Sequence, residues 1–470
     1  MHLISTRDSL GTPNTYCETL LTGLAPDGGL FIPSEYPQVS QGELESLKNS
    51  PYTNIAFQIK KKLISGDIDD VTLKDLVENA YTQEKFPNSV DGNITPVRKI
   101  DKNLYIQNLS LGPTAAFKDM AMQQLGQEMN YELTKRGENL TILGATSGDT
   151  GSAAEAAMKG LDAITLFMLS PQIGMSDFQK AQMGNLSGDN IFNISVDGCF
   201  DDCQDMVKDL KNSPEFSHLG AVNSINWGRI SSQVPYYFSG YLQTVDEVGE
   251  EIDVCVPSGN FGNVLSAYIA KKMGLPIRRL IIATNENDVL HKVFSTGVYE
   301  ITPSSITSSP SMDISKASNY ERLVFDLLGR DGAKTEKYMQ EFADKKTVDL
   351  ADYGVSVEDL KSQGFISGSS SHADRLSMIE WVYEVSKTII DPHTADSIKV
   401  SLELRDPNIK TICMETALPV KFEDTIEKAL GFIPERPAIF ESLEAQNNEK
   451  AFQKMGTDRE QLKNFIEDNS

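Results

Sequence analysis

Short apolar runs alternate with amphipathic or alanine-rich stretches along most of this chain, and turns rich in glycine, serine and threonine separate them. From about Ile106 the order strand, Gly-rich turn, helix recurs several times. Residues 140–144 read as a buried strand, followed by a Gly/Ser/Thr turn and an Ala-rich helix over 152–159. Residues 163–169 are a second buried strand. Residues 253–257 are a third, leading through another Gly-rich turn into a helix over 264–273, with a further strand at 278–284. Residues 120–133 are helical and 411–414 are a late strand. This rotation predicts an α/β protein with a mainly parallel, doubly wound sheet.

The first hundred residues break the rotation. They mix short helical patterns with turns such as Pro26-Asp27-Gly28-Gly29 and read as a separate N-terminal unit. Residues 302–311 are rich in Ser, Thr and Pro and predict a loop or lid. Residues 335–357 are charged and helical, and 451–470 read as a solvated terminal helix that frays.

Composition narrows the class. The chain has 470 residues, 40% hydrophobic and 23% charged, as expected of a globular protein with a full core. No run of 18 or more apolar residues suggests a membrane span. The N-terminus lacks the basic-then-apolar shape of a signal peptide. Five cysteines give no disulfide framework. Cys199 and Cys203 can share a helix face, but with no second pair or nearby histidine no metal site is expected. A reducing cytoplasm fits best. The net charge of −24 argues against nucleic acid and anionic membranes as partners. A small anion held in a focused pocket remains compatible with it.

Four segments can carry chemistry. In Gly112-Pro113-Thr114-Ala115-Ala116-Phe117-Lys118-Asp119, one lysine stands at the mouth of a helix in an apolar setting. Burial disfavours its charged form, and a neutral amine can form a Schiff base with a carbonyl cofactor. Pro257-Ser258-Gly259-Asn260-Phe261-Gly262-Asn263 follows a strand and opens a helix, a natural seat for a phosphate or simply a tight turn. Ala145-Thr146-Ser147-Gly148-Asp149-Thr150-Gly151 has the same setting with more hydroxyls. It suits a substrate carboxylate or a helix N-cap, although Asp149 is awkward beside an anion. Glu415-Thr416-Ala417-Leu418-Pro419-Val420-Lys421-Phe422 follows a strand, and Thr416 can point into the crevice or merely end the strand.

Together with Ser5-Thr6-Arg7, residues 23–31, the stretch 223–230 (NSINWGRI) and 309–315 (SPSMDIS), these motifs follow one another in a known order. The chain resembles the threonine synthases, pyridoxal-phosphate enzymes of the tryptophan synthase β-like fold (fold type II). The resemblance implies two doubly wound α/β lobes with an extra N-terminal domain and a C-terminal helical extension. Its bounds would be 1–95 for the N-terminal domain and 96–390 for the catalytic core, with the smaller lobe about 121–245. Residues 391–470 would complete the large lobe and end in a tail.

The resemblance also implies roles. Lys118 would be the Schiff-base lysine, with Phe117 beside it. Gly259, Asn260, Phe261, Gly262 and Asn263 would form the cofactor-phosphate loop, and Thr416 would meet the pyridine nitrogen. Thr146, Ser147, Asp149 and Thr150 would receive the substrate carboxylate. Asn223, Ser224, Asn226 and Arg229 would hold the substrate phosphate. The implied reaction turns O-phospho-L-homoserine and water into L-threonine and phosphate by β,γ-elimination and hydration, the last step of threonine biosynthesis, in a monomer or small homo-oligomer.

Two positions depart from the family pattern: Leu111 and Leu418 stand where many relatives carry histidine. Proton transfer would then fall to Lys118 and to phosphate itself. A phospho-amino-acid lyase releasing phosphate and a 2-oxo acid is the alternative on the same scaffold. A threonine or serine dehydratase, or a non-catalytic binding module, fits the motif set less well. Of the five histidines, His393 is the one expected near function, with a satisfied structural role the stronger reading.

Overall fold

The computed structural model describes all residues except 1, 65, 147, 173–174, 212, 217–218, 221–222, 442 and 447–450. Two sheets organise the chain. The larger has six strands in the order Phe365–Ser369, Ile277–Thr284, Ile252–Pro257, Thr411–Glu415, Leu104–Asn108 and Val97–Asp101. Every neighbouring pair is parallel except the last. Ile252–Pro257 and Thr411–Glu415 are buried at every position, which is why they read as continuous apolar runs rather than alternations. The antiparallel edge strand exposes Arg98 and Lys99, charges that discourage edge pairing with another chain.

The smaller sheet is all parallel, in the order Phe452–Met455, Ile191–Val196, Ile164–Pro171 and Leu140–Ala145. Its outermost strand overturns the expectation for the tail. Residues 452–455 pair with 193–196, and the helix Arg459–Asn469 buries Leu462 and Ile466. Phe465 meets the stacked rings of Phe167 and Phe192 edge-on, each at 6.0 Å. Leu462, Phe465 and Ile466 lie at helical spacing and form one apolar face, so this end of the chain builds the smaller lobe.

The charged stretch near 335 is helical only as far as Lys345. Lys346 takes φ +61° and stops the helix. Thr347–Asp349 then pairs antiparallel with Val298–Glu300.

The N-terminal unit shares its core with the rest of the chain. Its helix Tyr52–Ile64 lies against Trp227–Thr244. The buried Lys60 there donates to Ser231 and Ser232 at 2.8 Å each and pairs with Glu128 at 3.1 Å. Arg7 grips Glu321 through two 2.8 Å bonds. Among the described residues no helix is long and apolar enough to cross a membrane.

Candidate active site

The carboxyl ends of Thr411–Glu415, Ile252–Pro257 and Leu140–Ala145 lead into Thr416, the 258–263 turn and the 146–151 turn. Strand carboxyl ends are where parallel α/β sheets bind ligands. Lys118 opens the helix Lys118–Arg136. The turn before it is stitched to the end of the Thr411–Glu415 strand. Phe117 N–H donates to Thr416 O at 2.9 Å, and Leu418 N–H donates to Ala115 O at 3.1 Å. Asp119 accepts from Thr114 N–H at 2.9 Å and from Thr114 Oγ1 at 2.7 Å. A Cβ at residue 112 would stand 2.5 Å from Asp119 Oδ2, so Gly112 is needed for this closure.

Phe117, Lys118, Thr150, Ser224, Arg229, Gln233, Ser311, Met312, His393, Thr416 and residues 257–263 line one cavity of about 670 Å³, part of it open to solvent. Lys118 Nζ is 3.4 Å from Asp149 Oδ2 and 5.6 Å from the centroid of the Phe117 ring. Burial lowers the pKa of this amine, and the charges of Lys421 and Arg229 act in the same direction, against Asp149. Asp149 is held well below the usual carboxylate range: burial alone would raise it, but Lys421 and Lys118 outweigh that. The two shifts pull against each other across one ion pair. Distance decides between them, because Asp149 sits closer to Lys421 than to Lys118. Lys421 is the main counter-ion, and burial disfavours the charged form of Lys118.

The 259–263 turn is shaped by close approach. A Cβ on Gly259 would lie 2.9 Å from Ser311 O. Phe261 takes φ +65° and packs against Tyr320 and Phe294 at 5.7 and 5.8 Å. Asn263 Oδ1 accepts from Tyr236 and Tyr237 at 2.5 Å each, while its Nδ2 has no protein partner. The first N–H groups of the helix Gly262–Lys272 also lack intrahelical partners. Unsatisfied donors around a helix N-terminus fit a phosphate ester.

Residues 2–81 match the family described as threonine synthase N terminus, 92–358 match pyridoxal-phosphate dependent enzyme, and 394–466 match threonine synthase, C-terminal. The threonine synthase of Methylobacillus glycogenes is 48% identical over 99% of both chains. That of Corynebacterium glutamicum is 48% identical over 94% of each. This chain belongs to the threonine synthase family. A crystal structure of the pyridoxal-phosphate-bound threonine synthase from Brucella melitensis superposes with TM-score 0.93 at 36% identity, covering 100% of this chain and 99% of that one. The architecture is therefore PLP fold type II.

For a threonine synthase family member, the most telling side chain is Arg229. It is 5% exposed, and its Nε and Nη1 have no hydrogen-bond partner. Among the described residues no carboxylate pairs with it. Burial lowers it to about 10, so it stays cationic at neutral pH. A buried, unpaired guanidinium is costly, and an anionic ligand in the cavity would satisfy it.

Thr150 and Ser224 also line the cavity, and Ser224 Oγ lies 3.2 Å from Ser318 Oγ. Other expected ligands are placed differently. Thr146 Oγ1 accepts from Gly148 and Gly151 N–H at 3.0 and 2.9 Å, so it shapes the loop. Asn226 caps the helix Trp227–Thr244: its Oδ1 accepts from Gly228 N–H at 2.8 Å and its Nδ2 donates to Leu20 O at 2.9 Å. Asn223 is exposed and does not line the cavity. Ser147 lies outside the described residues.

Sequence reasoning did not single out Lys421, Ser311 or Gln233. His393 has both nitrogens engaged: Nδ1 faces Asp391 Oδ1 at 2.8 Å, and Nε2 accepts from Ser311 N–H at 3.1 Å. It is structurally satisfied and also part of the cavity wall. Leu111 and Leu418 pack in one apolar cluster with Phe178, Val420, Phe440 and Leu443.

Proposed function

We propose that this protein converts O-phospho-L-homoserine and water into L-threonine and phosphate, with pyridoxal phosphate as cofactor. The observation that carries the reading is the pairing, in one cavity, of an amine whose charged form is disfavoured by burial, Lys118, with a buried cation lacking an anion, Arg229. When bound, the cofactor supplies an electron sink for carbanionic charge on the amino acid. The orphaned Asn263 Nδ2 and the N-terminus of Gly262–Lys272 would hold its phosphate. Thr416 would meet its ring nitrogen as a hydroxyl rather than an acid.

Lys118 Nζ is the proton carrier. As a free amine within reach of the substrate Cα it removes that proton and can return one. Arg229, aided by the Ser224 hydroxyl, binds the substrate phosphate. Its donors also favour charge building on the leaving oxygen. The start of the helix Asp149–Met158 and the Thr150 hydroxyl receive the α-carboxylate, while the Asp149 side chain is withheld by its lysines. The cluster containing Leu111 and Leu418 offers no titratable group, so the remaining proton transfers fall to Lys118 and the departing phosphate.

The deciding assay incubates the protein with pyridoxal phosphate and O-phospho-L-homoserine and measures phosphate, threonine and 2-oxobutanoate together. Equal phosphate and threonine are expected. Phosphate accompanied by 2-oxobutanoate would instead make it a lyase.

A further inference from the structure

Two lysines share Asp149, and only one of them lines the cavity. Lys421 lies behind the carboxylate, in the turn Pro419–Phe422 that follows Thr416. Its side chain is 1% exposed. It pairs with Asp149 Oδ1 and donates to Thr114 O at 3.0 Å. The other oxygen, Asp149 Oδ2, faces Lys118 Nζ at 3.4 Å and accepts from Ser311 Oγ at 3.1 Å. Gln179 adds a 3.3 Å bond to Oδ1.

We propose that Lys421 is a positioning residue: it neutralises Asp149, so that the carboxylate does not hold Lys118 in its ammonium form. The proposal rests on the reading that Lys118 carries the cofactor. The charged and titratable groups around the pair come from five elements. Asp149 comes from the 146–151 turn, Lys421 from Pro419–Phe422 and Arg229 from Trp227–Thr244. His393 faces Asp149 from Pro392–Leu404, and Asp119 on the lysine's own helix feels Lys421. Lys421 and Arg229 are two cations whose charges act on Lys118, and among the described residues Asp149 is the carboxylate that acts on it most strongly. A proton on Lys118 would therefore stand unbalanced. Without Lys421, Asp149 would be left with Lys118 as its nearest cationic partner. The lysine would then hold its proton and react more slowly.

The test uses the full chain freed of cofactor and follows pyridoxal phosphate uptake by absorbance from neutral to alkaline pH. Condensation of the Lys118 amine with the aldehyde, with loss of water, needs the free amine, so its rate tracks deprotonated Lys118. In Lys421→Met the midpoint of the rate profile is expected to move up by about one pH unit or more. Uptake at neutral pH should then slow about tenfold. Lys421→Gln, which keeps a donor for Thr114 O, should show the same shift and covers the case in which the methionine variant folds poorly. Adding Asp149→Asn to either variant should bring the midpoint back toward wild type, a rescue that a merely structural lysine would not show. Uptake slowed equally at every pH, or an unmoved midpoint in the folded single variants, overturns the proposal. A wild-type protein that takes up no cofactor at Lys118 overturns the functional reading instead.

Discussion

Phe117 donates its backbone N–H to Thr416 O at 2.9 Å, tying the residue before Lys118 to the end of a strand far along the chain. A second bond, from Leu418 N–H to Ala115 O at 3.1 Å, makes the tie a short antiparallel bridge. The amine of Lys118 and the hydroxyl of Thr416 are thus registered by backbone, before any ligand arrives. Such pre-set geometry is what a catalytic constellation requires.

Because the bridge uses only main-chain atoms, Lys118→Ala should leave it intact. The variant is expected to melt close to wild type, to lose the cofactor's protein-bound absorbance and to lose turnover. Wild-type turnover by this variant would end the assignment of Lys118.

Arg229 should show the opposite balance of stability and function. Its guanidinium is buried with Nε and Nη1 unpartnered, a state that destabilises the ligand-free protein. Arg229→Met keeps much of the volume and removes the charge. The ligand-free variant is expected to be as stable as wild type or more so in denaturant melts. Inhibition by inorganic phosphate should weaken roughly 10- to 100-fold, corresponding to the loss of about 1.5–3 kcal/mol of charged hydrogen bonding. Unchanged phosphate inhibition would remove Arg229 from the substrate site.

Some of this was legible in the sequence, and the reason is local. Lys118, residues 259–263 and Thr416 each sit where a strand or turn hands over to the next element, and such junctions gather at strand carboxyl ends. Lys421 and Ser311 carry no comparable local mark. Their roles come from Asp149, which reaches them only in the folded chain. The resemblance implies Asn226 as a phosphate ligand, whereas the structure uses its side chain to cap the helix Trp227–Thr244. Its place just before a helix was the available sign of an N-cap. Phe452–Met455 is too short to show a strand pattern by itself, and its pairing with Ile191–Val196 is purely tertiary.

Glu415, one residue before Thr416, gives a pH dependence of stability with a definite sign. Burial lifts its carboxyl from 4.5 to about 7, and Asp391 pushes the same way, against Arg98 and the hydrogen bond from Ser110. Between those pH values the folded state keeps a proton that the unfolded chain has lost. Stability from this group therefore falls as pH rises through the window. The gap corresponds to about 3 kcal/mol at the limit. Glu415→Gln can still accept from Ser110 Oγ, which lies 3.1 Å from Oε1. Urea unfolding at about pH 5 and about pH 8 should show a smaller drop for the variant than for wild type. An equal drop would mean that Glu415 ionises normally.

The C-terminal helix offers the sharpest test of how the smaller lobe is held. Leu462 is fully buried, and Phe465 closes edge-on over Phe167 and Phe192. The strand Phe452–Met455 just before this helix is the outer member of the smaller sheet. Leu462→Ala removes buried methyl groups and leaves a cavity, an expected loss of about 2–5 kcal/mol. The loss should be felt first in the smaller lobe. Amide exchange in Ile191–Val196 should therefore rise before that in Ile252–Pro257, since the latter strand belongs to the other sheet. Uniform exchange in both sheets would show that the lobes unfold as one unit, and no change in stability would return the tail to a solvated, fraying helix.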